Sequence, residues 1–384
     1  MMQSRSSVHG RAEIVIAGGG IAALEAALAL RALAGDRVST TLVSPSTELT
    51  FRPTAGLEAF DQASGHRYDL AEIAHDLDVR FRATRVEAVA PQARTVRLGS
   101  GTRLEYDALI LATGARAIAS IPGALTFRDQ RDVPQLRRIL SKLDSGAVSR
   151  LAFAVPSGAS WALPLYELAL LASQRAERSG AQIVLVSAER RPLEVFGRDA
   201  SELVAAELAA RGVHFVGESP AIAWREGALA IQGGAPVTAD RVVTVPQLRV
   251  GRLAGIPASW WGFVPTDTFG RIEGISDVYA AGDMTTYPIK QGGLATQQAD
   301  RIAHTIAASV GAPVKQLHAA NVLRERLLGG EQPLLLRTEL DWRGRPTAGT
   351  VEYGHESEGA GVKVFGRYLT HYLDGLAQRD YASR

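Results

Sequence analysis

The sequence contains no cysteine at all. Disulfide bonds, thiolate nucleophiles, cysteine-ligated iron–sulfur clusters and dithiol relays are therefore excluded. An excess of charge is also missing, because 42 basic residues face 40 acidic ones. The resulting net charge of +2 is too small to indicate a nucleic-acid partner. The eight histidines are scattered without metal-ligand spacing, so no metal site is expected.

Long apolar runs are scarce as well. The most apolar stretch, residues 151–172, contains Pro156, Pro164 and Glu167, which predicts a strand, a turn and a helix rather than a membrane span. The polar N-terminus lacks the apolar segment of a signal peptide. We therefore expect a cytoplasmic location, with the inner face of the membrane as an alternative.

A βαβ unit is predicted near the N-terminus. The apolar run Glu13–Ala17 suits a buried parallel strand, and Ile21–Ala34 is an Ala- and Leu-rich helix without Pro or Gly. The β-branched segment Val38–Val43 follows as the second strand. A strand, a helix and a strand within about thirty residues are typical of a dinucleotide-binding unit.

The turn of this unit, Gly18-Gly19-Gly20-Ile21-Ala22-Ala23, matches the pattern G-x-G-x-x-G/A. Gly18 allows a tight turn, Gly20 lets the backbone approach a pyrophosphate, and Ala23 keeps the helix close to the sheet. The helix N-terminus supplies free N–H groups for the phosphates. A purely structural glycine turn is the alternative. An acidic residue is expected at the end of the second strand for the ribose, but Ser44 and Pro45 stand there, with Glu48 nearby as a substitute.

A second unit of the same kind is predicted further along the chain. Its strands are Leu151–Val155 and Ile183–Ser187, and Leu163–Arg178 forms the helix. In its turn Pro156 replaces the first glycine and Trp161 the third, although Glu189 supplies an acidic residue. This predicts a domain that has kept its fold and lost its nucleotide.

Two later segments indicate which dinucleotide the first turn binds. Tyr106–Gly114 and Asp277–Asp283 resemble the paired signatures of the pyridine nucleotide-disulfide oxidoreductase superfamily. The resemblance implies that FAD is the cofactor and that Asp283 hydrogen-bonds its ribityl chain. FAD is long and extended, so its site needs contacts far apart in the sequence.

The resemblance extends to one branch of the superfamily. Phe51-Arg52-Pro53, residues 161–168 and Pro288–Gly293 are similar to segments of sulfide:quinone oxidoreductases and type II NADH dehydrogenases. This implies that Lys290 lies beside the isoalloxazine ring near a quinone pocket, where its charge would stabilise the reduced ring. A solvated loop lysine is the alternative for Lys290. The cysteine-based sulfur chemistry of the sulfide oxidisers is excluded by composition. Trp161 and Tyr166 could line a substrate or quinone cavity or simply pack in the core.

The sequence therefore predicts an α/β fold with two Rossmann-like, doubly wound domains and a C-terminal appendage. The FAD domain is expected at residues 11–118 and 245–312, the degenerate NAD-type domain at 119–244 and the C-terminal domain at 313–384. Lys290 is the predicted catalytic residue. The predicted FAD contacts are Gly18, Gly20, Ile21, Ala22, Ala23, Ser44, Pro45, Arg52, Val86, Ala112, Thr113, Gly114, Gly282, Asp283, Lys290, Gly292 and Gly293.

The predicted function is transfer of electrons from an unidentified small-molecule donor through FAD, with a quinone as one acceptor. A flavin-binding regulatory protein without turnover and an NADH:acceptor oxidoreductase are the alternatives. The predicted C-terminal helix, Gly361–Ala377, carries apolar and basic residues on neighbouring faces. It either meets a membrane surface weakly and reversibly or docks on the flavin domain or on a second subunit, so a homo-oligomer is one alternative.

Overall fold

The computed structural model describes residues 10–63, 65, 67–315, 317, 320–329, 332–353 and 363–382. The elements of the first part are β1 (Ala12–Ala17), α1 (Ile21–Ala34), β2 (Val38–Ser44), β3 (Glu48–Thr50), α2 (Ala55–Glu58), β4 (Arg67–Asp69), α3 (Leu70–Asp76), β5 (Arg80–Ala83), β6 (Val86–Ala90), β7 (Thr95–Leu98), β8 (Arg103–Glu105), β9 (Ala108–Leu111) and β10 (Arg116–Ile118).

The elements of the middle part are β11 (Leu125–Thr126), α4 (Val133–Asp144), β12 (Arg150–Ala154), α5 (Leu163–Ser179), β13 (Gln182–Val186), α6 (Arg198–Ala210), β14 (Val213–Val216), β15 (Ala221–Arg225), β16 (Ala228–Ile231), β17 (Val237–Thr238), β18 (Arg241–Thr244) and β19 (Gln247–Arg249). The last part has β20 (Val278–Ala280), α7 (Gly292–Ser309), β21 (Asn321–Leu327), β22 (Leu334–Leu340), β23 (Pro346–Tyr353) and α8 (Leu369–Ala382).

Two parallel sheets organise the molecule. The first has the order β20-β9-β1-β2-β5 and the second the order β11-β18-β12-β13-β14. Because β20 follows the whole second sheet in the chain, the first sheet is assembled from two separated segments. The predicted α/β, doubly wound class is confirmed, and the exact domain boundaries stay a prediction.

Both faces of the first sheet are covered. The Ala-rich helices α1 and α7 pack on one face, and the small side chains of Ala23, Ala26 and Ala299 are fully buried between them. The antiparallel sheet β6-β7-β8 covers the other face, where Val96 and Leu98 belong to the same apolar cluster as Leu109. The sheet is therefore buried on both sides, which explains its continuous apolar strands.

The C-terminal sheet β21-β22-β23 is antiparallel and belongs to the core of the second sheet. Inward residues such as Leu323 and Leu336 alternate with exposed or half-buried ones. The backbone contact is close, since a Cβ on Gly329 would lie 2.7 Å from Leu170 Cβ. The sheet thus packs against α5.

The C-terminal helix begins later than the sequence suggested. Gly361 and Val362 lie outside the described residues, residues 363–368 are not helical, and α8 starts at Leu369. Residues 363–368 run across α1 and α7 instead. Their backbone forms hydrogen bonds other than helical ones, since Gly366 N donates to Thr370 Oγ1 at 2.7 Å. Leu369 and Leu373 are buried in the core of the first sheet. The apolar face of α8 is therefore covered by protein.

Within the described parts of the chain, none of the helices combines the length and the apolar character needed to cross a bilayer.

Candidate functional site

The carboxyl ends of four neighbouring parallel strands bring most of the predicted site together. The glycine turn follows β1, Ser44 ends β2, Ala112–Gly114 follow β9, and Gly282-Asp283 follow β20. In open α/β sheets, ligands bind at this edge. The site therefore arises from segments more than 250 residues apart in the chain.

Gly18 must be glycine for steric reasons. Its φ is +138°, and a Cβ would lie 2.1 Å from the carbonyl oxygen of Ala112. Its N–H donates to the carbonyl of Val43 at 2.8 Å, which ties the turn to β2. A Cβ on Gly19 would lie 2.6 Å from Ser44 Oγ. The turn is thus held tightly between β2 and β9.

Gly20 faces open space instead. A Cβ at this position would meet no atom within 4 Å, although the neighbouring glycines are crowded. Helix α1 begins at the next residue, Ile21, and its first turn has no acidic residue. The free N–H groups and positive dipole end therefore point toward this space. The arrangement fits the pyrophosphate of a dinucleotide.

Gly282 and Asp283 close the other side of the site. Gly282 has φ +75° and donates its N–H to Gln298 Oε1 at 2.7 Å. A Cβ there would lie 3.3 Å from Ala22 Cβ, so the turn after β20 touches the first turn of α1. Burial raises the pKa of the Asp283 carboxyl, and the positive charges of Lys290 and Arg52 partly oppose this effect. Asp283 is thus near enough to Lys290 and Arg52 for their charges to lower its pKa.

Lys290 connects the two halves of the molecule. Its Nζ donates to the carbonyl of Thr285 and lies 4.6 Å from the centroid of the Phe263 ring. Its backbone N–H donates to the carbonyl of Ser160, in the turn of the second unit, at 3.1 Å. Burial lowers the pKa of Lys290 to about 8, and Asp283 partly opposes the shift. The partly buried position argues against a freely solvated lysine.

Several predicted contacts lie at the margin of this geometry. Arg52 and Pro45 are exposed, and Arg52 is near enough to Asp283 to affect its pKa. Val86 begins β6 in the antiparallel sheet and packs with its apolar cluster. Glu48 is exposed and paired with Arg67 at 3.4 Å, which draws it away from a ribose role.

The remaining predicted contacts lie close to the glycine turn or to the start of α7. Thr113 Oγ1 is 3.5 Å from the sulfur of Met284, beside Asp283. Gly114 has φ +67° and open space around it. Gly292 and Gly293 form the first turn of α7, where a Cβ on Gly292 would lie 3.3 Å from Ile21 Cδ1. The α7 N-terminus therefore abuts the α1 N-terminus.

The turn of the second unit has a different geometry. Helix α5 begins at Leu163, five residues after Gly158, whereas α1 begins one residue after Gly20. Trp161 is half-buried, and its ring packs edge-on against Phe196 with the centroids 6.1 Å apart. The longer loop moves the helix N-terminus away from the glycine.

The carboxylate of Glu189, the acidic residue of the second unit, is hydrogen-bonded to other side chains of the protein. Tyr166 Oη donates to Glu189 Oε2 at 2.6 Å, and Ser187 Oγ donates to the same oxygen at 3.0 Å. Burial raises the pKa of the Glu189 carboxyl, while these hydrogen bonds oppose the rise. Tyr166 is fully buried, which favours the core-packing interpretation for this aromatic residue.

A buried charged cluster beside α7 was missed by the sequence analysis. Glu167 of α5 pairs through both carboxylate oxygens with Lys363, and both side chains are buried. Gln291, the N-cap of α7, donates to Glu325 Oε1 at 2.9 Å. Burial raises the pKa of Glu325 to about 7, with Lys363 acting in the opposite direction. Glu167 could have been noticed as an acidic residue among apolar neighbours in the first half of α5.

A second missed residue is Glu25, on the buried face of α1. It accepts the backbone N–H groups of Tyr368 at 3.1 Å and Leu369 at 2.7 Å, and so caps the start of α8. Burial raises the pKa of the Glu25 carboxyl to about 7, although these two hydrogen bonds lower it. Its sequence signal is the same as that of Glu167.

Among the described residues, no cluster of three acidic or histidine side chains could hold a metal ion.

Comparison with known proteins agrees with this geometry. The family model described as pyridine nucleotide-disulphide oxidoreductase matches residues 12–309. The chain is 27% identical over 176 residues to the sulfide-quinone reductase of Aquifex aeolicus and 26% identical over 300 residues to the rhodocoxin reductase of Rhodococcus erythropolis. These alignments cover 44% and 72% of this chain, but only 40% and 65% of the relatives.

Solved structures show the same fold. The sulfide:quinone oxidoreductase of Aquifex aeolicus superposes with a TM-score of 0.77 at 18% identity, over 97% of this chain and 90% of that one. A covalent putidaredoxin reductase–putidaredoxin complex gives a TM-score of 0.63 at 19% identity, over 85% and 81% of the two chains. The predicted resemblance to the sulfide:quinone oxidoreductase branch is confirmed by the first of these matches and by the sequence match to the reductase from the same organism.

The glycine turn with open space at Gly20 fits the cofactor of such proteins, and the matched model covers both segments of the first sheet. The chain therefore belongs to the pyridine nucleotide-disulphide oxidoreductase family, and FAD is its cofactor.

Proposed function

We propose that this chain passes two electrons from a donor other than a nicotinamide nucleotide to a quinone. The observation that carries the proposal is the position of Lys290. Its ammonium group donates to the carbonyl of Thr285, near enough to Asp283 for that carboxylate to affect its pKa, while its backbone N–H donates to Ser160 in the second turn. The Lys290 segment therefore lies between the turn of the first unit and the turn of the second.

The second turn is unsuited to a nicotinamide nucleotide for three reasons. Its helix N-terminus is displaced to Leu163, Trp161 is packed against Phe196, and Glu189 is bonded to Tyr166. A pyrophosphate needs close backbone approach and a free helix N-terminus. These features support a donor that reaches the flavin by another route.

The surroundings of Lys290 favour a flat, apolar acceptor. Half-buried Trp161, Tyr287 and Ile289 pack around the edge of the second core, and Phe263 lies under the lysine. Aromatic and apolar walls with one charged group are typical of small-molecule pockets. Lys290 Nζ would attract the negative charge that develops on a quinone oxygen.

Protons are needed as well as electrons. A quinone that accepts two electrons takes up two protons to become a hydroquinone. The pKa values of Lys290, about 8, and Glu325, about 7, lie near neutrality. Gln291 follows Lys290 in the chain and donates to Glu325. Lys290 can therefore hold a proton beside the acceptor at neutral pH, and Glu325 can hold another in the protein interior behind Gln291.

FAD supplies the group that accepts two electrons from one substrate and returns them to another. The similarity to a sulfide-quinone reductase supports the quinone as acceptor. A cysteine-bound sulfur route is excluded because the chain has no cysteine.

A small electron-carrier protein is the second candidate acceptor. It is favoured by the 26% identity to rhodocoxin reductase and by the structural similarity to a reductase bound to putidaredoxin.

The test is an anaerobic screen of donors for bleaching of the flavin absorbance, followed by addition of a water-soluble quinone analogue. We expect NADH to leave the flavin oxidised, at least one other donor to bleach it, and the quinone to restore the absorbance. Restoration by an iron–sulfur carrier protein and not by the quinone would favour the second acceptor. A flavin that no donor bleaches would support a regulatory protein without turnover.

A further inference from the structure

Exposed tryptophan is concentrated in two loops of the molecule. In the described residues, the exposed large hydrophobic side chains are Ile222, Trp260, Trp261 and Trp342, at 53%, 84%, 45% and 66% exposure. Three of the four are therefore tryptophans, in a chain that has only five. Tryptophan is favoured at membrane–water interfaces, where the ring is partly wet and partly apolar. An exposed cluster of this kind indicates an interaction surface.

Both loops are held in place by hydrogen bonds. In the β22–β23 turn, Asp341 Oδ1 accepts the N–H groups of Arg343 and Arg345, both at 2.8 Å. In the other loop, Val250 N donates to the carbonyl of Trp261 at 3.0 Å. The exposure of the tryptophans is therefore a feature of ordered loops.

Both loops contact the chain segment that carries Lys290. The β22–β23 turn touches the Lys290 segment, because Tyr287 Oη donates to the carbonyl of Asp341 at 3.2 Å and a Cβ on Gly344 would lie 2.7 Å from Pro288 Cγ. The Trp261 loop continues into Phe263, whose ring is beneath the Lys290 ammonium. Trp342 and Trp260-Trp261 thus belong to loops that adjoin the Lys290 segment, while their side chains remain exposed.

In each loop an arginine side chain also forms a cation–π contact with a tryptophan ring. The Arg249 guanidinium lies 5.0 Å from the ring centroid of Trp261, and that of Arg343 lies 4.4 Å from the ring centroid of Trp342. Residues 249–266 contain no Asp or Glu, and Asp341 is engaged within its own turn. Cations beside interfacial aromatics are complementary to anionic lipid headgroups.

We propose that Trp260, Trp261 and Trp342, with Arg249 and Arg343, form a docking surface for an anionic lipid bilayer. This surface turns the Lys290 segment toward the membrane, from which a lipid-soluble quinone reaches it. The role in quinone supply rests on the proposed function, but the docking itself does not. The C-terminal helix is a weaker candidate because its apolar side is buried in the core of the first sheet.

The test is co-sedimentation of the FAD-loaded full chain with vesicles of phosphatidylcholine, with and without phosphatidylglycerol. We expect binding to the anionic vesicles, weakened by salt, and a drop of about tenfold in the partition coefficient for the double variant Trp260→Ala/Trp342→Ala, equivalent to about 1.4 kcal/mol. Ile222→Ala is the matched control, since Ile222 is also exposed and lies on β15 of the second domain. It should bind as the unaltered chain does.

Absence of vesicle binding by the unaltered chain would overturn the proposal. So would equal binding of the double variant, or equal binding to neutral and anionic vesicles. Capture of an acidic carrier protein without vesicle binding would replace the lipid by a protein partner.

Quinone reduction is measured separately with a water-soluble analogue. The double variant should retain its rate with that analogue and lose rate with a quinone embedded in vesicles. Vesicle binding without reduction of either quinone would contradict the proposed function but would still support the docking surface.

Discussion

The two βαβ units of this chain share an order of elements but differ at the turn between strand and helix. In the first, α1 starts one residue after Gly20, which faces open space. In the second, α5 starts five residues after Gly158, and the acidic residue of the site is bonded to Tyr166. The same topology therefore presents an open turn in the first unit and a turn filled by its own side chains in the second.

The comparison also reveals a shared device. The fifth residue of α1 is Glu25 and the fifth residue of α5 is Glu167, and both carboxyl groups are buried. Glu25 holds the start of α8, and Glu167 holds Lys363 a few residues earlier. Each unit thus uses one buried carboxylate to fix residues 363–369. That segment in turn packs on the start of α7, where Val364 touches the Gly292 position.

The largest loss of stability is expected when the ion pair between Glu167 and Lys363 is broken. Lys363→Met leaves Glu167 buried without its cation, near Glu325, and we expect a loss of about 3–5 kcal/mol of stability. Thermal unfolding followed by FAD fluorescence measures it. The double variant Glu167→Gln/Lys363→Met removes both charges and should recover part of the loss. A single variant as stable as the unaltered chain would show that the pair contributes nothing.

A change at the glycine turns tests which unit binds FAD. Gly20→Val should weaken FAD binding by about 100-fold or more, roughly 2.8 kcal/mol, because the side chain enters the open space without meeting protein. The unaltered protein should release FAD and not FMN when denatured, as judged by chromatography against standards.

Gly158→Val is the matched control in the second unit, where a Cβ also meets no atom. Its φ of +72° makes the substitution strained, but the FAD content should stay unchanged. Loss of FAD in the control and not in Gly20→Val would reverse the assignment of the two turns.

The contact of Glu25 with the start of α8 is expected to contribute less stability than the Glu167–Lys363 pair. Glu25→Ala removes the acceptor of two backbone N–H groups, which should cost about 1–3 kcal/mol. Glu25→Gln keeps an oxygen and should be closer to the unaltered chain.

The stability difference between the unaltered chain and Glu25→Gln should depend on pH in a defined direction. The pKa of Glu25 is about 7 in the folded chain against an ordinary 4.5, so its contribution is complete below pH 4.5 and is lost as the pH rises through 7. The stability of Glu25→Gln relative to the unaltered chain should therefore rise between pH 4.5 and pH 7 in denaturant titrations. A constant difference would contradict the raised pKa.

Lys290 lies between the two units, and its charge is expected to affect the rate. Because burial lowers its pKa to about 8, quinone reduction should fall as the pH rises through 8. Lys290→Arg keeps a positive charge to higher pH and should move this decline upward. Lys290→Met should be slow at every pH, by about 100-fold. An unchanged profile in the arginine variant would assign the decline to another group.

No effect at all is expected from nicotinamide nucleotides. Anaerobic mixing with millimolar NADH or NADPH should leave the flavin absorbance unchanged, since the second turn lacks the needed geometry. Dithionite is the control that shows the flavin can be reduced. Complete bleaching by NADH within one second would make the second unit a working nucleotide site.

Short-range patterns were sufficient for the first unit. Helix α1 has the predicted bounds Ile21–Ala34, and β1 and β2 differ from prediction by one residue each. The C-terminal appendage was poorly predicted, because its sheet depends on packing against α5 and α8 starts where Glu25 caps it. A helical pattern over 361–377 could not reveal that residues 363–368 run across other helices.

By itself the sequence determined the doubly wound fold, the glycine turn and the absence of thiol chemistry, because these depend on residue type and on spacing within about thirty positions. Only the tertiary structure decided how the buried charges are used. Lys363 reaches Glu167 across 196 positions, and Tyr368 reaches Glu25 across 343. A charge in an apolar helix is stable only with a partner, and chain folding alone brings such distant partners into contact.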